Sequence, residues 1–190
     1  MTILRYFNPA GAHPSGLLGE NPLGPPANLF PSVAAACSGA GPGLQLLGKD
    51  WDTRDGSGER DFVHVVDLAR GHLAAVARSQ PGCRVFNLGT GRGSTVLEVS
   101  RKILQNTQNN KYKSKRHFPS IPQVIAEFGR QTGRAVQYEV AGRRSGDVAA
   151  CFASPARAEA ELGFRAERSL AEMCESELNW RKKNPNGYGS

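Results

Sequence analysis

An α/β fold follows from three features of this 190-residue sequence. Short runs rich in β-branched and aromatic residues alternate with helix-forming runs. The changeovers are punctuated by glycine, proline or asparagine, residues that turn a chain. Residues 62–76 show one whole unit: an apolar run from Phe62 to Val66, then Asp67, then Leu68, Leu73 and Val76 set among alanines as the packing face of a helix.

In order, residues 2–7 alternate and predict a strand that begins almost at the first residue, an odd place for a core strand in a complete domain. Residues 8–31, rich in Gly, Pro and Asn, predict an irregular loop. Residues 32–37 predict a modest helix, 39–43 a turn and Leu44–Leu47 a strand ending in the loop 48–58. Asp67 stands where an N-cap belongs, its carboxylate able to accept orphan N–H groups of the first turn. Residues 83–88 predict a strand that feeds Gly89-Thr90-Gly91-Arg92-Gly93-Ser94. Residues 95–99 open a helix that resumes at 125–129, and 135–140 alternate as a strand. Ser154-Pro155 predicts a helix start with a Ser cap and Pro at the first position, and Gly163 ends it. Ser169 and Glu172 fit a capping box, with Leu170, Met173, Cys174 and Leu178 following on one face.

Hydrophobic content of 39% with 22% charged residues describes a soluble globular chain, and 22 Gly with 12 Pro a loop-rich one. Cys37, Cys83, Cys151 and Cys174 lie far apart with no CxxC pair, so free thiols in a reducing compartment are expected and a zinc site is not. The first residues hold neither a signal peptide nor a transmembrane span, which makes the cytosol the default. The net charge of +7 invites a nucleic-acid reading, yet six of those charges sit in residues 99–123, which contain no acid. The remaining chain is nearly neutral.

Several stretches could carry chemistry. Gly89 to Ser94 approximates a dinucleotide fingerprint, but its sixth position is Ser94 and no ribose-binding acid stands in Asn109-Asn110-Lys111-Tyr112-Lys113. Arg60, just ahead of an apolar strand, suits a fixed bidentate grip on a carboxylate or phosphate, or equally a surface salt bridge. Arg143-Arg144-Ser145-Gly146-Asp147 reads either as a diphosphate grip or as a surface charge cluster. His13, His64, His72 and His117 show no ligand spacing, and His64 reads as a core histidine.

Together these stretches resemble the UDP-glucose 4-epimerase family of extended short-chain dehydrogenases/reductases. The segment Arg60-Asp61-Phe62-Val63-His64-Val65-Val66-Asp67-Leu68-Ala69-Arg70-Gly71-His72 is similar to the family's RDY-hydrophobic-HVxDLAxGH pattern. Residues 4–20, 25–31, 84–93, 142–164 and 179–189 follow in the family's order. The resemblance covers nearly the whole chain except residues around 99–123, and it corresponds to the C-terminal, substrate-binding half. It implies that the N-terminal Rossmann half is missing. It also implies one UDP-sugar-binding unit over residues 1–190, interrupted at 99–123 by a disordered basic insertion. Removing 99–123 would join Glu98 to Val124 in one amphipathic helix, as a retained intron would require.

By the same resemblance, Arg60 and Arg144 meet the UDP diphosphate and Asp147 the uridine ribose. Asn8 hydrogen-bonds the nucleotide-sugar, and Phe7 lies beside the nicotinamide. Asn28 and Leu29 match the end of an NNL motif whose first Asn is Ala27 here. Gln45, Leu46 and Leu47 align with the strand that pairs with uracil, Leu47 replacing a usual Phe. Cys151 shapes the sugar pocket. The family interconverts UDP-galactose and UDP-glucose with tightly bound NAD and a Tyr of YxxxK as base, and its members are homodimers through helices of the other half. No YxxxK occurs in this sequence, so no catalytic residue is assigned and NAD is not expected to be retained by this chain. Other readings are a different nucleotide-sugar enzyme of the superfamily, and a non-catalytic nucleotide-sugar or nucleic-acid binder acting through 99–123.

Overall fold

The computed structural model of the chain describes residues 1–22, 24, 28–38, 44–106 and 138–188. Parallel strand pairs dominate it. Strand β1 (Thr2–Tyr6) lies beside β6 (Arg84–Leu88), β2 (Asn8–Ala10) beside β5 (Phe62–His64), and β3 (Leu44–Leu47) beside β8 (Tyr138–Ala141). Parallel neighbours need long crossovers, and these contain α1 (Leu29–Ser38), α2 (Val65–Ala77) and α3 (Val96–Asn106), while α4 (Ala156–Leu162) and α5 (Leu170–Lys183) follow the last strand. A small mixed sheet holds β4 (Glu59–Arg60) between β7 (Ser94–Thr95), antiparallel, and β9 (Ala150–Cys151), parallel.

Strand β5 divides the interior. Successive strand side chains face opposite ways, so Phe62 enters a cluster with Phe30, Val33, Val99, Met173 and Cys174, under α1, α3 and α5. Val63 enters a second cluster with Leu68, Phe86, Leu88, Leu162 and Phe164, under α2 and α4. The run at residues 8–31 is not wholly irregular: its first residues add β2 to β5, and α1 begins at Leu29. At Phe7 the chain steps between neighbours, Phe7 N donating to Leu88 O at 3.4 Å and Asn8 N to Asp61 O at 2.9 Å.

Helix α2 departs from the sequence expectation at both cap and face. The strand stops at His64, and His64 is the N-cap, its Nδ1 accepting from Val66 N at 3.1 Å. Asp67 lies inside the first turn, fully buried, where its Oδ2 accepts from the backbone N–H groups of Glu167 and Arg168 at 3.0 and 2.9 Å. The packing face is Leu68, Gly71 and Ala75, whereas Leu73 and Val76 are 71% and 76% exposed. Close approach explains the choice: a Cβ at Gly71 would lie 2.8 Å from Leu88 Cδ1 and 3.2 Å from the Phe164 ring.

The other helices follow their local signals more closely. In α4 the cap is Pro155 rather than Ser154, with no side-chain hydrogen bond, and Gly163 closes the helix at φ 61°. In α5 the capping box forms: Ser169 Oγ accepts from Glu172 N at 3.3 Å while Glu172 Oε2 accepts from Ser169 N at 2.7 Å. Helix α3 runs on through Asn106, with Val99 and Ser100 buried, so the basic segment is helical over its first residues. Residues 107–123, the turn 39–43, the helix resumption at 125–129 and the strand start at 135–137 lie outside the described residues.

Among the described residues, no helix is long and apolar enough to cross a membrane, and no group of three or more His, Cys, Asp or Glu side chains could hold a metal ion.

Candidate functional site

The chemistry gathers where β4 meets β9. Arg60 sits in the middle of the mixed sheet, opposite Ser94 on one side and Cys151 on the other. Its Nη1 donates to the backbone carbonyls of Glu59 (2.9 Å), Val148 (2.8 Å) and Ala149 (3.4 Å). Its Nη2 lies 3.7 Å from Asp147 Oδ1, and the side chain is only 20% exposed. Three carbonyls and a carboxylate therefore fix the guanidinium before any ligand arrives.

Asp147 Oδ1 also accepts from Arg144 Nη2 at 3.0 Å, so two guanidiniums converge on one carboxylate oxygen. The turn that allows this is closed by Asp147 N donating to Arg144 O at 3.1 Å. Gly146, its third residue, has φ 86°, a conformation that favours glycine. A Cβ there would meet nothing within 4 Å, so the requirement is conformational rather than steric.

The two consecutive arginines have different tasks. Arg143 is locked: its Cζ stacks 4.1 Å over the Trp51 ring, and its Nε donates to Asp50 Oδ1 at 3.0 Å. That hydrogen bond holds the Asp50 carboxyl below the usual carboxylate range. Arg144 is 64% exposed and, among the described residues, held by Asp147. The cluster thus offers one fixed and one movable guanidinium with a single carboxylate between them. Its excess positive charge suits a diphosphate, which two guanidiniums can grip through several oxygens.

The remaining residues stand around this cluster at different removes. Cys151 is exposed and adjacent to Arg60 by strand register. Asn8 is half-buried on β2 opposite Phe62, its backbone tied to Asp61, and Phe7 precedes it, also half-buried. Gln45 is exposed and Leu47 half-buried on β3, while the side chain of Leu46 lies outside the described residues. Trp51 links that strand to Arg143 by donating from Nε1 to Leu47 O at 3.4 Å. Asn28 turns elsewhere, its Nδ2 donating to Glu20 Oε1 at 2.7 Å, and Leu29 packs against the α1/α3/α5 core. Ala27 lies outside the described residues.

The backbone N–H groups of Thr90, Gly91 and Arg92 in the glycine-rich turn after β6 are engaged within the protein. Fully buried Asp61 accepts from Thr90 N (3.0 Å) and Thr90 Oγ1 (2.6 Å) on Oδ1, and from Gly91 N (2.9 Å) and Ala153 N (3.1 Å) on Oδ2. Arg92 N donates to Thr90 Oγ1 at 3.1 Å. The N–H groups that a dinucleotide fingerprint would present to a pyrophosphate are spent inside the protein. Asp61 instead binds the turn to β9, and so holds the strand that faces Arg60. Sequence reasoning missed Asp61 and the Trp51–Arg143 stack, since both depend on partners between 29 and 92 residues away.

His64 is part of a buried polar chain behind the site. Its Nδ1 accepts from Val66 N, which leaves the proton on Nε2, 3.2 Å from Ser176 Oγ. Ser176 Oγ also accepts from Ala12 N at 3.1 Å and donates to Met173 O at 3.1 Å. Burial, reinforced by the Arg168 charge, lowers the His64 pKa. Every donor has an acceptor only while His64 is neutral, a positioning role rather than a catalytic one.

A sequence model of the NAD dependent epimerase/dehydratase family matches residues 1–89. The UDP-glucose 4-epimerase of Homo sapiens is 43% identical over 190 residues, which take in 99% of this chain and 47% of that protein. The UDP-glucose 4-epimerase of Yersinia enterocolitica is 44% identical over 188 residues, 99% of this chain and 48% of that protein. The crystal structure of UDP-glucose 4-epimerase from Bifidobacterium longum, in complex with NAD+ and UDP, superposes with a TM-score of 0.78 at 45% identity. That match covers 98% of this chain and 49% of the other. The chain thus spans about half the length of the curated relatives it matches.

Proposed function

Because the chain belongs to the UDP-glucose 4-epimerase family, we propose that it is the nucleotide-sugar-binding part of an enzyme that interconverts UDP-galactose and UDP-glucose. The observation that carries this reading is the convergence of Arg60 and Arg144 on Asp147 Oδ1. In the proposed complex Arg60 stays in place and Arg144 swings onto the diphosphate, while Asp147, freed of one partner, accepts a ribose hydroxyl. Gln45, Leu46 and Leu47 form the uracil edge and Asn8 flanks the nucleotide-sugar, while Asn28 and Leu29 join them only if Asn28 exchanges Glu20 for the ligand. The exposed thiol of Cys151 leaves room at the sugar, so N-acetylated UDP-sugars are accepted as well.

The residues present do not fit NAD by themselves. Asp61 occupies the turn that most resembles a dinucleotide site, and Phe7 contributes one ring face beside the cofactor. No YxxxK base occurs among the 190 residues. By itself, then, this chain binds UDP weakly, retains no NAD and epimerises nothing. The exposed free thiols of Cys83 and Cys151 support a cytosolic setting for it, and the proposed interconversion would place it in galactose metabolism.

The test is a fusion of this chain behind the N-terminal half of the Bifidobacterium longum relative. The fusion should turn over UDP-galactose. Arg60→Ala should lower its kcat/KM by about tenfold or more, the loss expected for a charge-assisted phosphate contact. A folded fusion that shows NAD absorbance but no turnover, or that ignores Arg60→Ala, would overturn the reading.

A further inference from the structure

A cavity of about 620 Å³ opens on the face of the molecule where the turn after β6 meets the Phe164–Leu170 connection. Its lining is divided. Phe62, Phe164, Leu170 and Met173 give it an apolar wall that reaches both core clusters, and Arg92 and Arg168 bring guanidiniums to it. A cavity of this volume can hold a small molecule, and its lining is somewhat more polar than apolar. None of Arg60, Arg144, Asp147 and Cys151 lines it.

The charges around it are not balanced. Two acids also line the cavity, but Glu159 is ion-paired with Arg165 and Glu167 with Arg70. Arg92 has no ion-pair partner among the described residues. The Arg168 Nε is buried with no hydrogen-bond partner, and its Nη1 reaches Glu172 only at 3.7 Å. Glu172 is in any case engaged by the capping box through Oε2. A buried guanidinium N–H without an acceptor is uncommon in a folded protein, and it is the rest of the Arg168 side chain, 31% exposed, that can meet a ligand in the cavity.

We propose that this cavity binds a small phosphate monoester with an apolar body, its phosphate held between Arg92 and Arg168 and its body against Phe62, Phe164, Leu170 and Met173. A tetrahedral dianion matches two guanidiniums in charge and in number of acceptor oxygens. The site is separate from the Arg60–Asp147–Arg144 cluster, so its occupant is a second ligand.

The probes are phenyl phosphate, inorganic phosphate and phenol, each titrated into the full chain by calorimetry. Phenyl phosphate should saturate one site, with inorganic phosphate and phenol each at least about tenfold weaker. Arg92→Ala, a change at an exposed side chain, and Arg168→Gln should each weaken phenyl phosphate about tenfold. Arg144→Ala should leave it unchanged. The proposal is overturned by inorganic phosphate or phenol binding as tightly as phenyl phosphate. It is equally overturned by phenyl phosphate binding that is insensitive to Arg92→Ala, by binding lost in Arg144→Ala, or by no binding up to about 10 mM.

Discussion

Replacing Asp61 by Asn tests how the structure holds β4 against β9. The carboxylate is fully buried and accepts four hydrogen bonds, two on each oxygen, from Thr90, Gly91 and Ala153. An amide of the same shape keeps one acceptor oxygen and turns its NH₂ either toward the N–H groups of Gly91 and Ala153 or toward the Thr90 N–H and hydroxyl, the latter able to donate to Arg92 O instead. One or two buried donors are left without acceptors, at about 1–3 kcal/mol each, so the expected loss is about 1–6 kcal/mol. A domain of this size is stable by roughly 5–15 kcal/mol, so the loss is a large part of the total. Glu98→Gln is the control: its partner Arg54 is 48% exposed, and a pair of that kind contributes less than about 1 kcal/mol. Urea denaturation followed by circular dichroism measures both. A loss below about 1 kcal/mol for Asp61→Asn, or one no larger than that for Glu98→Gln, would refute the argument.

Other consequences are open to direct measurement. The His64 pKa is lowered in the folded state from its ordinary 6.5, so the unfolded chain takes up the proton first. Stability should therefore be full above about pH 6.5 and fall as pH drops below it, and His64→Gln should flatten that part of the pH–Tm profile. Glu177, whose pKa burial raises, titrates with the opposite sign, which is why the comparison with His64→Gln is needed. Burial pushes the Cys174 thiol up to about 12. Iodoacetamide at neutral pH should alkylate Cys83 and Cys151 in the native protein and reach Cys174 only after unfolding, as peptide mass mapping will report. In the fusion enzyme, Cys151→Tyr should suppress turnover of UDP-N-acetylgalactosamine while sparing UDP-galactose, and equal effects on both would remove Cys151 from the sugar pocket.

What could be read from the sequence was the part decided by near neighbours. Ser169 and Glu172 cap α5 because both partners lie within one turn, and Gly163 ends α4 because a left-handed residue is a local need. Arg60 and the 143–147 stretch were visible as a chemical type. That Arg143 is locked on Trp51 while Arg144 stays exposed and paired with Asp147 depends on a fold that brings residues 92 apart into contact, and no spacing announces it. Asp67 resembled an N-cap because nothing in the sequence shows that Glu167 and Arg168, about a hundred residues on, present their N–H groups to it. Leu73 and Val76 were assigned to the packing face by hydrophobicity. The helix instead turns its smallest residues inward, since Leu88 and Phe164 leave no space for larger ones at Gly71.

The most direct measurement of the central claim is the affinity of this chain for UDP and for uridine, in wild type and in Arg144→Ala. Arg144 is 64% exposed, so its removal leaves the fold intact and takes away one of the two guanidiniums that meet at Asp147. The account predicts that UDP binds and weakens about tenfold in Arg144→Ala, whereas uridine, without phosphates, binds both proteins alike. UDP bound equally by wild type and variant, or uridine weakened by the same factor as UDP, would contradict it.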